Sequence, residues 1–113
     1  MNVSELNPEP TSKALFKLSS FKQVPKIGGC YVLTTFEGLI LYIGLASNLY
    51  IRFQQHLDNP EKTDATGDGR AFWIFFTHYD EGNLNRLERT WLNHYVSHHG
   101  CLPILNKINS PVS

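Results

Sequence analysis

Residues 29–56 read GCYVLTTFEGLILYIGLASNLYIRFQQH, and the architecture is decided in this stretch. Two β-branched and apolar runs, Tyr31–Phe36 and Leu39–Ile43, flank Glu37-Gly38, a pattern that reads as a β-hairpin. A two-residue turn would pair Phe36 with Leu39, set Tyr42 opposite Leu33 and set Gly44 opposite Tyr31. Side chains alternate along a strand, so Tyr31 and Tyr42 would then share one face as diagonal neighbours. A slip of one residue would separate the two phenols. Gly44 would leave space beside the Tyr31 hydroxyl. Ser47 or Asn48 can accept from the free N–H groups of the helix that follows. Leu49, Phe53 and Leu57 repeat at four-residue spacing as its buried stripe, and Arg52 and His56 form a second stripe alongside.

The rest of the chain frames this hairpin and helix. At 113 residues it has room for one core. The longest apolar run, Ala71–Phe76, is far too short to span a bilayer, and MNVSELNPEP carries no basic region followed by an apolar stretch. A cytoplasmic location is therefore expected. Cys30 and Cys101 are too few for a disulfide framework or a cysteine-rich zinc site. Ten Lys and Arg balance ten Asp and Glu, so the basic excess of many nucleic-acid binders is missing. The charges are nonetheless segregated. Lys13, Lys17, Lys22 and Lys26 meet no acid between residues 11 and 30, whereas Asp58, Glu61, Asp64 and Asp68 face only Lys62. Such a basic edge attracts phosphates, or is simply a solvated face.

Residues 1–10 read as a flexible polar tail. Thr11 is expected to cap a short helix through Ser19, with Leu15, Phe16 and Leu18 on its apolar side. Asp58 to Gly69 reads as a mobile loop, and Ala71–Thr77 as a strand covered on both faces. Asp80, Glu81, Gly82 and Asn83 open the longest helix, which runs to about His98. Gly100 ends it, and Pro103 prevents its continuation. A short helical turn follows, then a tail over residues 109–113. The expected fold is a single α/β (α+β) domain over residues 11–108, with a three-stranded, mostly antiparallel sheet flanked by helices.

Glu88 stands out within the long helix. Leu84, Leu87, Trp91, Leu92 and Tyr95 mark its core-facing side, and Glu88 falls on or beside it. A carboxylate withdrawn from water is costly unless it is paired or binds a metal. One reading pairs it with Arg52 or a lysine. The other makes it a site residue together with Arg52, His56, Tyr31 and Tyr42. No Ser-His or Cys-His spacing supports nucleophilic catalysis. Phosphoryl chemistry fits: arginine clamps phosphate oxygens, a lone carboxylate with waters and substrate oxygens holds Mg2+, and a phenol or imidazole takes a proton from water.

These residues, in this order, resemble the GIY-YIG nuclease superfamily. The first name-giving motif is Gly29-Cys30-Tyr31, with Cys in place of the usual Ile, and the second is Tyr42-Ile43-Gly44. The helix arginine matches Arg52, the imidazole four residues later His56, the metal-binding glutamate Glu88 in LERTWL, and the late asparagine Asn106 in LPILN. The resemblance spans Gly29 to Asn106. It implies hydrolysis of a DNA phosphodiester with one divalent metal, Mg2+ or Mn2+, on Glu88 as its only protein ligand. It also implies Tyr31, Tyr42, Arg52, His56 and Glu88 as catalytic residues, with Tyr31 or His56 as general base. Gly44, Asn48 and Asn106 are expected to line or orient the substrate site. Leu45 stands where Lys or another polar residue is usual, which favours a second possibility, a DNA-binding module with weak or no catalysis. DNA is the expected partner, together with a recruiting protein or a second copy of the chain. A protein-interaction domain is a third class. His94 and His98 lie four apart, but cations near a helix C-terminus are favourable in any case. The aromatic run Phe72, Trp73, Phe75 and Phe76 reads as core rather than as a base-stacking platform.

Overall fold

In a computed structural model, described over residues 1–79 and 83–108, a four-stranded antiparallel sheet forms the centre of the domain. The strands are β1 (Ser12–Leu15), β2 (Gly29–Thr34), β3 (Ile40–Ala46) and β4 (Trp73–His78), in the spatial order β1-β4-β2-β3. The helices are α1 (Leu49–Leu57), α2 (Pro60–Thr63), α3 (Leu84–His99) and α4 (Ile104–Ile108). The sheet thus has one strand more than the sequence suggests. Its extra member, β1, lies where a short helix was expected. Leu15, Phe16 and Leu18 mimic helical spacing, but Ala14 and Leu15 pair with Ile74 and Trp73 of β4, and the helical turn begins only at Leu18. The start of α3 at Asp80–Gly82 and the tail 109–113 lie outside the described residues.

The β2–β3 ladder places Tyr31 opposite Gly44 and Leu33 opposite Tyr42, as expected from the sequence. It arrives there by a different route. The turn is longer than two residues: the Thr35 N–H donates to the Leu39 carbonyl, the Gly38 N–H donates to the Thr35 carbonyl, and Gly38 adopts φ +94°, which favours glycine. Thr34 therefore pairs with Ile40, and a β-bulge at Leu41 restores the register. The bulge leaves Leu41 and Tyr42 on the same side of the sheet.

Each face of the sheet is covered. On one side Tyr31, Leu33, Leu41 and Ile74 pack with Leu49 and Phe53 of α1 and Leu105 of α4. On the other, Cys30, Val32, Ile40 and Ile43 pack with Leu87, Trp91 and Tyr95 of α3. Residues 1–10, read as a tail, close that second layer. Met1, Val3 and Leu6 are buried in it, and burial of each contributes about 1.5–3 kcal/mol. Asn2 caps the turn Val3–Glu5 reciprocally with Glu5. The Ile40 N–H donates to the Met1 carbonyl, and the Trp91 indole N–H donates to the Pro8 carbonyl at 2.8 Å.

Two further expectations change. The stretch 58–69 contains α2, capped by Asn59 with Pro60 in its first turn. β4 is central, yet only Ile74 and Phe76 are buried; Trp73 and Phe75 are half-buried and Phe72 is exposed. Among the described residues, no helix is long and apolar enough to cross a membrane.

Candidate active site

β3 is an edge strand, and the site straddles its border. From one face come Tyr31 and Tyr42, with rings 5.9 Å apart. Helix α1 then lays its polar stripe over them. Asn48 sets the start of that helix by accepting from the Ile51 N–H at 3.1 Å. Two turns on, His56 is buried, with its Nε2 2.6 Å from the Tyr31 hydroxyl. Its ring also meets Tyr42 edge to face at 5.3 Å. Arg52, one turn earlier, is tied by Nη1 to the Leu45 carbonyl at 3.2 Å and by Nε to Gln55 at 3.1 Å. From the other face α3 delivers Glu88, half-buried beside the stripe of Leu87, Trp91 and Tyr95. Tyr42, Leu45, Arg52 and Glu88 line one cleft of about 290 Å3.

Among the described residues, the alternative pairing of Glu88 with Arg52 or a lysine does not form. No Lys, Arg or His among the described residues makes an ion pair with Glu88, although the charges of Arg89 and Arg52 act on it. Burial raises its pKa, and those two charges only partly offset the rise. Burial also pushes both phenols upward, Tyr31 well above the ordinary tyrosine range; Tyr42 adds to this and the Arg52 guanidinium opposes it. His56 moves the other way, to about 3, through burial and the nearby charges of Lys62 and Arg52. The imidazole is therefore neutral, and in the tautomer that leaves Nε2 unprotonated it accepts the Tyr31 O–H. Burial, and then the Glu88 charge, lift the Cys30 thiol to about 12, so it stays protonated.

Gly44 and Asn106 act on the geometry of this centre. A Cβ on Gly44 would stand 2.7 Å from the Tyr31 hydroxyl and 2.8 Å from the Tyr42 ring, so glycine is what lets the phenols converge. Asn106 accepts from the Ile43 N–H at 3.0 Å and donates to the Ile43 carbonyl at 2.9 Å. Both ends of its amide are engaged with the outer border of β3, between Tyr42 and Gly44. It ties that strand to α4 at Ile43. Asn48 likewise uses its carbonyl oxygen as a helix cap.

The sequence reading missed Lys62. It is buried, with its ammonium 4.7 Å from the centre of the Tyr42 ring. A lysine in an acidic stretch gives no sign of burial; only the Asn59-Pro60 helix start hinted at order there. His94 and His98 stack edge to face at 5.1 Å, and no group of three or more His, Cys, Asp or Glu able to hold a metal occurs among the described residues.

Fold and cleft together define a class: a small α+β domain whose open sheet border gathers two phenols, an imidazole, a guanidinium and one carboxylate. Residues 27–100 match the GIY-YIG catalytic domain, and the chain belongs to this nuclease family. It is also similar to UvrABC system protein C of Mycoplasma genitalium, with 36% identity over 76 residues, covering 66% of this chain and 13% of that protein. The chain thus corresponds to a small part of that relative's length.

Proposed function

We propose that this domain is a divalent-metal-dependent DNA endonuclease, either selective for DNA structure or brought to its substrate by a partner protein or a second copy. The cleft that unites Tyr42, Arg52 and Glu88 carries the reading. A desolvated carboxylate without an ion-pair partner suits Mg2+ or Mn2+, which retains waters and takes few protein ligands. Bound to Glu88, the metal would polarise the scissile phosphate.

The remaining steps belong to the chain itself. Arg52 faces the phosphoryl oxygens, where its fixed fork offsets the charge that builds in the transition state. Tyr31 is too poor an acid to wait as a phenolate. It acts as a relay instead, taking a proton from the attacking water while passing its own to Nε2 of His56. Lys62 and Arg52 suppress the basicity of His56 in the free protein. A phosphate bound at Arg52 offsets part of their charge and raises the basicity once substrate is bound. Tyr42 orients the water or the phosphate, and Asn106 holds Tyr42 and Gly44 in place through Ile43.

The test is a cleavage panel of supercoiled, branched and single-stranded DNA with Mg2+ or Mn2+. Metal-dependent cutting that Glu88→Ala abolishes is expected; cutting that survives this change defeats the metal assignment. The apolar Leu45 on the cleft wall favours one second reading, a DNA-binding module without turnover. That reading requires salt-sensitive binding with no nicking of any substrate in the panel.

A further inference from the structure

Among the described residues, Lys62 is the one Lys, Arg, Asp or Glu that the fold buries, at 1% exposure. Helix α2 puts it there: Asn59 caps the helix through the Glu61 N–H at 3.0 Å, and the Lys62 N–H donates to the Asn59 carbonyl at 2.9 Å. The ammonium has no carboxylate in ion-pair contact and no hydrogen-bond acceptor among the described residues; its neighbour is the Tyr42 ring. Among the described residues, no buried side-chain nitrogen or oxygen is sealed off without a partner, so the trace of exposed surface on Lys62 includes its tip. The stem is enclosed, and the ammonium keeps only a trace of accessible surface beside Tyr42.

A ring face returns to an ammonium only part of the hydration it gives up. Burial dominates and holds the ammonium below the usual lysine range; the Glu61 charge relieves this in part, and the Arg52 charge works against that relief. A cation held at such cost beside a second cation is what an anionic ligand repays.

We propose that Lys62 is a phosphate-contacting residue of the candidate active site, its ammonium held against Tyr42 to bind a phosphate of the DNA strand that is cut. This rests on the nuclease reading above and adds to it a second cation beside Arg52. Lys62 then weakens the free protein and strengthens its grip on substrate, a trade common at functional sites.

Lys62→Met keeps the stem and removes the charge, so two readouts separate this role from a structural one. In thermal unfolding of the free protein, Lys62→Met should melt at or above the wild-type temperature; a Lys62 kept only for packing on Tyr42 predicts a lower one. Binding of fluorescein-labelled branched DNA, titrated with salt in a Glu88→Ala background, should weaken on Lys62→Met. The slope of log affinity against log salt should fall by about 0.9, the loss of one duplex phosphate contact. Lys62→Arg should restore most of that slope. In the cleaving enzyme, Lys62→Met should raise KM more than it lowers kcat. Normal cleavage by the wild type, with slope and KM unchanged in Lys62→Met, overturns the assignment of Lys62 alone. Failure of the wild type both to bind and to cut DNA overturns the nuclease reading, and the phosphate role with it.

Discussion

Helices α1 and α3 flank the same strand border, and each sends one charged side chain into the cleft from beside an apolar stripe, Arg52 from α1 and Glu88 from α3, with His56 of α1 buried behind. They differ in how those groups are held. On α1, His56 is fixed by Tyr31, and Arg52 by Leu45 and Gln55. On α3, Glu88 is desolvated and has no ion-pair partner among the described residues. One side is organised before substrate arrives, and the other side carries an unmet electrostatic demand. The contrast is one of environment: α1 carries a hydrogen-bonded arrangement, and α3 carries a carboxylate whose burial the charges of Arg89 and Arg52 only partly offset.

Breaking the α1 side should have the larger effect on rate among its own residues. Arg52→Ala should lower kcat/KM for DNA cleavage by about 100- to 1000-fold, the usual scale for removing a donor aimed at developing charge. Arg52→Lys should recover little, because the fork that holds both Leu45 and Gln55 is lost. Steady-state cleavage assays decide this.

Acid sharpens the contrast through stability. His56 titrates at about 3 in the folded chain against an ordinary 6.5. The unfolded chain therefore binds the proton first, and the His56 contribution to stability, complete above pH 6.5, is lost as pH falls towards about 3. Glu88 has the opposite sign. Its raised pKa means that the folded chain takes up the proton first, so acid relieves the cost of its buried charge. In melts across this range, His56→Gln should flatten the acid-side loss and Glu88→Gln should steepen it. The smallest effect concerns the strand between the helices. Asn106→Ala removes both bonds to Ile43 and should cost about 1–2 kcal/mol in chemical denaturation, with a partial loss of cleavage.

The site was more legible in the sequence than the frame around it. Tyr31, Tyr42, Arg52, His56 and Glu88 are held by local rules, strand alternation and helical four-residue spacing, and those rules survive in the fold. The phenols pair as strand alternation predicts although the turn is longer than two residues, because the extra turn residue and the bulge at Leu41 cancel. What escaped depends on partners remote in sequence. Ser12–Leu15 becomes a strand only because β4, some sixty residues later, offers it an edge. Met1, Val3 and Leu6 are too sparse to signal burial, and need the groove beside Trp91 and Ile40 to be buried at all. Lys62 defies its own composition: nothing in a polar, acidic stretch marks one lysine for enclosure.

The amide of Asn106 is hydrogen-bonded to Ile43 as a neighbouring strand would be, at a single point. A chain truncated before α4 would leave that point bare, in the middle of an apolar strand. Unpaired strand borders recruit one another. Shortened versions of this domain should therefore self-associate edge to edge, and the position of the last retained residue, before or after Asn106, becomes the practical boundary between a well-behaved protein and an aggregating one.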